Sequence, residues 1–402
     1  MLLAVLLCCL AAAMGPPPAA ASPPALDCDA AAVMDRTTGR FLYLWHADRR
    51  LPMASTTKIM TAKAALDSGV DLEQVVRIGV LDLRWDESSV GLKEGQRLRV
   101  EQLLQALLVA SANDAARALA VAVDGSEAAF VERMNRTARL LDLSDTHFAN
   151  AHGMDAPGHY TTARDLTRLA AVALADERFA QYVALTSVRL PKADGGMLRV
   201  RTTDSFLRAN RSWVYGVKTG YTDKAESCLV SAGCYEGEHI IVTVLGSPDP
   251  QTRDRVALRL YQYGRSLYRT WSSPRAGSPL VRLAVPYARA PLKLTLGEAF
   301  SVELPPGAAV TKTVTAPPVA TLPVASAAAL GEVAYAVDGQ QRGRRVLLAE
   351  RAIPVASWET RLRYRLWDTW SGGDEREGLL QRTWHKAGEV FRDIGGWFGR
   401  LF

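Results

Sequence analysis

The chain is poor in the residues that carry metal, redox and disulfide chemistry: among 402 positions it holds five cysteines and six histidines. Cys8 and Cys9 fall in an apolar N-terminal run, and neither follows the small residue that a lipid-modification site needs. Cys228 and Cys234 lie six apart in a stretch that reads as a strand. At about 3.3 Å of rise per residue they are too far apart to bond. No disulfide is expected, although pairing of one of them with Cys28 stays open. The histidines, His46, His147, His152, His159, His239 and His385, form no His-Glu-x-x-His or comparable ligand set. Nor is a Ser-His-Asp arrangement evident, so no metal, no cofactor and no ordinary triad is expected. There is no internal repeat and no dense Lys/Arg stripe. The net charge of +6 and pI near 9.1 therefore suit an anionic surface, such as a membrane or a cell-wall polymer, better than nucleic acid.

What is present is ordinary globular material, 48% hydrophobic and 22% charged, long enough for two or three domains. Met1 to Met14 is wholly apolar, and Gly15-Pro-Pro-Pro and Ala19-Ala-Ala-Ser follow. This reads as a signal peptide over residues 1–21, cut after Ala21, hence as an exported protein. Its n-region is unusual in having only the amino terminus as positive charge.

Two short apolar segments, Ala30 to Asp35 and Phe41 to Trp45, flank a hairpin signal at Arg36-Thr-Thr-Gly39. A helix beginning near Ser55 and carrying Ile59, Met60, Ala62, Ala64, Ala65 and Leu66 is apolar nearly all round, so it belongs inside a core. Further helices are expected over Val100 to Leu108, Ala115 to about Val123, Glu127 to Leu141 (capped by Asp124-Gly125-Ser126), and from Thr161-Thr162 with Asp165 placed as in a capping box. The pattern then turns to strands: Met197 to Thr203, Trp213 to Thr219, Ser227 to Tyr235 and Ile240 to Gly246. A helix from Arg253 to Tyr268 closes the stretch. Strands at both ends with helices between them imply one α+β domain, over residues 27–271, whose antiparallel sheet joins both ends.

Trp271 to Ser278 reads as a linker. Residues 278–355 alternate short β-type runs with Pro/Ala/Gly turns and read as a small all-β sandwich. Residues 357–402 hold five of the nine tryptophans. Leu380, Trp384, Ala387, Phe391, Ile394, Phe398 and Leu401 recur at helical steps, which describes an amphipathic helix lying in a membrane interface rather than crossing it. Docking of that helix on the β domain is the alternative. Gly395, Gly396 and Gly399 weaken it, and its nearly balanced charge leaves apolar burial as the main attraction.

Ser55 and Lys58 are three residues apart at the start of the buried helix, on one face, so the amine can reach the hydroxyl and serve as its base. Taken alone the pair also reads as an N-cap serine beside a solvated lysine, and roughly one chance Ser-x-x-Lys is expected in a chain this long. Ser111-Ala112-Asn113 sits at a break between helices, a place that Ser and Asn also favour for local reasons. Lys218-Thr219-Gly220 ends a strand, where an edge lysine and a turn glycine would look the same.

In this order the three stretches resemble the Ser-x-x-Lys, Ser-x-Asn and Lys-Thr-Gly motifs of penicillin-recognising serine enzymes. The flanking text resembles the low-molecular-mass penicillin-binding proteins, the D-alanyl-D-alanine carboxypeptidases. It includes Met34-Asp-Arg-Thr-Thr-Gly39, Ala54-Ser-Thr-Thr-Lys-Ile-Met-Thr-Ala62, Asn113-Asp-Ala-Ala and Phe130-Val-Glu-Arg-Met-Asn135, then His159-Tyr-Thr-Thr-Ala-Arg-Asp165 and Gly216-Val-Lys-Thr-Gly-Tyr-Thr222. The likeness covers residues 29 to 270 well and the rest in layout only. Departures from the pattern are Met53 where proline is frequent, Ala112 where glycine is frequent, and Ala225-Glu226 where Ala-Gly is common; none removes a functional group.

The resemblance implies a β-lactamase/transpeptidase-like fold for the first domain and a nucleophilic Ser55 with Lys58 as its base. It implies that Ser111 relays a proton to the leaving D-alanine, that Asn113 holds the substrate amide, and that Lys218 and Thr219 meet the substrate carboxylate. Gly220 would let the strand lie close to the substrate, and the N–H groups of Ser55 and Tyr221 would form the oxyanion hole. The implied partners are a peptidoglycan stem pentapeptide ending in D-Ala-D-Ala, β-lactam antibiotics and the membrane surface. A β-lactamase, a DD-endopeptidase and a catalytically silent wall-binding protein are the competing readings; the first typically has Ser-Asp-Asn where Ala112 interrupts here. With no usable histidine, Lys58 has to titrate low, and a neighbouring Lys218 would help.

Overall fold

The computed structural model describes residues 22–363, apart from positions 82, 86 and 289. The expected signal peptide and most of the expected terminal helix lie outside the described residues. Within them the chain forms two compact units, one running to Thr270 and taking in Glu303–Ala308, the other made of 271–302 and the chain from 309 onward.

In the first unit the strands are β1 (Ala30–Asp35), β2 (Phe41–Trp45), β3 (Val75–Arg77), β4 (Arg97–Arg99), β5 (Ser187–Pro191), β6 (Met197–Arg201), β7 (Val214–Thr222), β8 (Glu226–Tyr235) and β9 (Glu238–Ser247). The helices are α1 (Lys58–Asp67), α2 (Val100–Val109), α3 (Asn113–Asp124), α4 (Glu127–Leu140), α5 (Ala163–Ala173), α6 (Glu177–Val183), α7 (Ser205–Ala209) and α8 (Pro250–Ser266). The β1–β2 hairpin turns where expected, because Asp35 Oδ1 accepts from the Thr37 and Thr38 N–H groups at 2.7 and 3.0 Å.

The main sheet has the order β2-β1-β9-β8-β7 and is antiparallel, so the N-terminal hairpin is completed by three strands from nearly two hundred residues further on. Both faces are covered. Ala31 and Val33 of β1 pack with Val256, Leu260 and Tyr261 of α8, whereas Ala30, Ala32 and Met34 join the core around α1. That alternation explains why β1 reads as an unbroken apolar run instead of alternating.

Helix α1 is the centre of the helical layer, touching α2, α3, α4, α5 and α6. Ile59, Met60, Ala62, Ala64 and Ala65 are all fully buried, as the all-round apolar pattern requires. Two caps form where the sequence places them: Ser126 Oγ accepts from Ala129 N–H, and Thr162 Oγ1 from Asp165 N–H. The capping box at Thr162 is only half made, since the Asp165 carboxylate turns to Asp145 N–H and the Thr146 hydroxyl.

Some elements escaped the sequence reading. Helices α6 and α7 are 7 and 5 residues long, too short for a periodic signal. The Met197 strand forms a separate ribbon with β5 instead of joining the main sheet. Helix α8 starts at Pro250, ahead of the anticipated Arg253, because Asp249 caps it through Thr252 N–H.

The second unit is built on an antiparallel sheet. Five antiparallel strands run in the order Pro279–Leu283, Leu292–Leu296, Gln340–Ala349, Ala329–Val337, Val310–Thr315. Leu292, Leu294, Val333 and Leu347 are fully buried between them, and Phe300 stacks on Tyr335 with ring centres 5.1 Å apart. Residues 358–363, at the start of the expected terminal helix, are helical.

Candidate active site

Ser55 stands in a single 3-10 turn, Ala54–Thr57, that leads directly into α1. Ala54 has φ of 48°, in the left-handed region that alanine rarely occupies, and two glycines hold its peptide in place from outside. A Cβ on Gly153 would come within 2.1 Å of Ala54 O, and a Cβ on Gly220 within 2.9 Å of both Ala54 Cβ and Ser55 N. The close approach that needs Gly220 is thus to the backbone of Ser55 itself. Below the turn, Ala149 N–H donates to His159 Nδ1 at 3.0 Å, which leaves Nε2 to donate to Thr57 Oγ1 at 2.8 Å. Thr57 Oγ1 in turn donates to Ala54 O. His159 thereby braces the serine turn.

Lys58 is fully buried. Its Nζ lies 2.8 Å from Ser55 Oγ, 2.6 Å from Asn113 Oδ1 and 2.6 Å from the His152 carbonyl. Burial pushes its ammonium well below lysine's usual range, and the charge of Lys218 adds to that. Glu87 and Asp114 pull the other way, and Arg117 reinforces the depression.

Ser111 and Asn113 come from the break between α2 and α3. Ser111 takes φ of 58° there, and Asn113 is the first residue of α3, its N–H donating to Ser88 O at 2.7 Å. Asp114 fastens the preceding loop, accepting from the Val90 and Leu92 N–H groups. Asn113 has both ends of its amide engaged, Oδ1 with Lys58 and Nδ2 with Glu87 Oε2 at 2.9 Å. The Ser111 hydroxyl, 5% exposed as a residue, is not one of the three partners of Lys58.

Lys218, Thr219 and Gly220 lie on β7, the strand at the edge of the sheet. A protective edge lysine would be exposed; Lys218 is 1% exposed, with its Nζ donating to Thr219 O. Burial lowers it to about 7, with Asp204 opposing and Arg253 assisting. Thr219 Oγ1 is 3.2 Å from Thr203 Oγ1. Tyr221 is 62% exposed.

The structure therefore joins Ser55, Lys58 and Asn113 by direct hydrogen bonds, sets Gly220 against Ser55, and brings Lys218 within electrostatic reach of Lys58. Sequence reasoning missed Glu87, Arg117, Glu127, His152, Asp204 and Arg253. Arg253 is 4% exposed and bonded to Asp254 and Ser205. Asp204 is buried, its Oδ2 unpartnered, and burial raises its pKa. Of these, Arg117 alone had a local signal, standing four residues after Asn113 on one helix face. Beside the site a cleft of ≈ 420 Å³ is lined by Arg117, Glu127, Asn150 and His152 with Val80, Leu81, Val121 and Ala149. Among the described residues no cluster of His, Cys, Asp and Glu has the makings of a metal site.

Comparison with known proteins adds three findings. Residues 18–249 match the family described as D-alanyl-D-alanine carboxypeptidase. The chain is 30% identical over 290 residues to D-alanyl-D-alanine carboxypeptidase DacF of Bacillus subtilis, covering 69% of this chain and 72% of that one. Among solved structures it resembles penicillin binding protein 5 from Haemophilus influenzae, with TM-score 0.58, 25% identity and coverage of 83% and 99%. It also resembles the Streptomyces K15 DD-transpeptidase, with TM-score 0.57, 30% identity and coverage of 61% and 100%.

Proposed function

The chain belongs to the D-alanyl-D-alanine carboxypeptidase family, and from that premise we propose a serine mechanism centred on Ser55 that removes the terminal D-alanine from peptidoglycan stem peptides. The observation that carries it is the contact of Ser55 Oγ with a buried Lys58 Nζ. A neutral amine has two N–H bonds and one lone pair. Asn113 Oδ1 and the His152 carbonyl take the two N–H bonds, and the lone pair is left to accept from the Ser55 hydroxyl.

Ser55 Oγ attacks the carbonyl carbon of the penultimate D-alanine while its proton passes to Lys58. The tetrahedral oxyanion sits on the N–H groups of Ser55 and Tyr221. Its collapse breaks the C–N bond, the leaving D-alanine nitrogen receives a proton by way of Ser111, and an ester to Ser55 remains. Water, giving its proton to Lys58, then cleaves the ester. Lys218 and Thr219 receive the substrate carboxylate; an arriving anion favours the ammonium form of Lys218, which in the empty site titrates near neutrality. Asn113 is assigned first to orienting Lys58, since both ends of its amide are engaged. β-Lactams acylate the same serine, their ring amide replacing the scissile peptide.

The test is release of D-alanine from diacetyl-Lys-D-Ala-D-Ala, with and without penicillin. Penicillin-sensitive release that disappears in Ser55→Ala supports the mechanism. Release that persists in Ser55→Ala overturns it. Export through cleavage of residues 1–21 and attachment to the outer face of the cytoplasmic membrane through residues 357–402 complete the proposal, supported by the small-residue cleavage site and by the spacing of Trp384, Phe391 and Phe398.

A further inference from the structure

Both acceptors that hold Lys58 opposite Ser55 lead back to one arginine. Asn113 Nδ2 donates to Glu87 Oε2, and Arg117 closes on the same carboxylate with two bonds, 2.6 Å to Oε2 and 3.1 Å to Oε1. On its other side, Arg117 Nε stands 3.8 Å from Glu127 Oε2. Glu127 Oε1 accepts from Ala151 N–H at 3.1 Å and lies 3.5 Å from His152 Nε2, so it grips the segment whose His152 carbonyl accepts from Lys58. The side chains are enclosed, with Arg117 15% and Glu87 2% exposed.

The arrangement solves a specific problem. A primary amide presents an acceptor at one end and a donor at the other, and its two orientations have nearly the same shape. If Asn113 turned its Nδ2 toward Lys58, that N–H would compete for the lone pair that Ser55 needs. An ionised carboxylate only accepts; burial works against the charge on Glu87, but the Arg117 guanidinium and then the Asn113 amide outweigh it and hold the carboxyl down at about 2. Glu87 therefore tolerates only the orientation in which Asn113 Oδ1 faces the lysine.

We propose that Arg117, acting through Glu87 and Glu127, is a positioning residue for the reaction: it orients the Asn113 amide and the His152 carbonyl so that the lone pair of Lys58 points at Ser55. The proposal deepens the serine mechanism and rests on Lys58 as its base. The charged groups facing Lys58 are Lys218 from β7, Arg117 and Asp114 from α3, and Glu87 from the loop between β3 and β4. His152 and His159 also face it, and burial keeps both rings neutral near neutral pH. Because Glu87 favours the ammonium and Arg117 disfavours it, removing them shifts the base in opposite directions.

The experiment measures the rate of acylation by penicillin from pH 5 to 10 for the full chain and for Glu87→Gln, Arg117→Ala, Arg117→Lys and Lys58→Ala. Glu87→Gln keeps the shape but offers Asn113 a donor as well as an acceptor. It should lose about 10- to 100-fold in plateau rate, as small misplacements of reacting groups do, and move the acid limb to lower pH. Arg117→Ala should lose as much and move the limb to higher pH. Arg117→Lys keeps the charge without the fork, so its limb should stay near that of the parent chain while its rate falls between the two. Folded variants with the parent's rate and limb, or with both limbs shifted the same way, overturn the proposal. If Arg117→Ala fails to fold, Glu87→Gln decides the matter alone, being isosteric. Lys58→Ala separates the two readings: normal acylation there brings down the mechanism itself, whereas its loss beside unaffected Glu87 and Arg117 variants brings down only the clamp.

Discussion

In the proposed mechanism Lys58 serves as the base because of where it is buried, and the pH dependence should report this. The active form is the neutral amine. Its pKa in the folded chain is depressed, first by burial and then by Lys218. Acylation by penicillin should hold its plateau above that depressed pKa and fall as pH drops through it. An acid limb well below lysine's reference of about 10.4 is the expected result, and Lys218→Ala should move that limb upward by removing the second cation. Gly220 gives a steric prediction at the same scale. A methyl group there meets Ala54 Cβ and Ser55 N at 2.9 Å, and the turn between Gly153 and Gly220 has no room to retreat. Gly220→Ala should cost about 10²- to 10³-fold in acylation, the order seen when an oxyanion donor is lost, and should lower the thermal midpoint as well, because backbone has to shift to admit the methyl group. Ser55 and Lys58 were legible because a three-residue step on a helix is a local fact. Glu87 was not, because it meets Asn113 at a separation of 26 residues with no pattern to announce it.

Among elements, α1 and the turn before it depend on the segment that carries His159. The ring accepts from Ala149 N–H and donates to Thr57, a geometry open only to the neutral form. Burial lowers its pKa to about 4, against an unfolded value near 6.5. The folded state thus binds its proton less readily than the unfolded chain. The stability that follows is present in full above pH 6.5 and is lost as pH falls toward 4, on the order of 3 kcal/mol if the whole shift is realised. His152, lowered to about 3, acts in the same sense. Thermal midpoints measured between pH 7 and 4 should decline, and His159→Gln should start lower and decline less steeply. A parallel slope in the variant would assign the loss elsewhere. Thr162→Ala removes the cap of α5 and should cost about 1 kcal/mol. Long helices with caps and the β1–β2 hairpin were readable from the chain. The β5–β6 ribbon and helices α6 and α7 were not, since short elements take their shape from what they pack against.

At the scale of the molecule, every side chain given a chemical role lies between Ser55 and Tyr221, within the first unit. A chain limited to residues 22–270, the first unit without its Glu303–Ala308 piece, should be acylated by penicillin within about threefold of the full-length rate, since domains with their own core generally fold alone. The proposed membrane attachment belongs to the other end: deleting residues 357–402 should release the protein from membranes on sedimentation, and unchanged sedimentation would refute the anchor. From the sequence alone came the three motifs in order, the buried first helix and a sheet built from both ends of one domain, because periodicity, spacing and turn chemistry are local. Only the tertiary structure decided that Lys218 is buried rather than a guard on an edge, that Gly220 closes on the backbone of Ser55, and that Arg117 stands behind Glu87 and Asn113. Those depend on desolvation and on contacts such as Lys58 with Asn113 and His152, 55 and 94 residues apart, where the energy of a charge is set by everything that surrounds it.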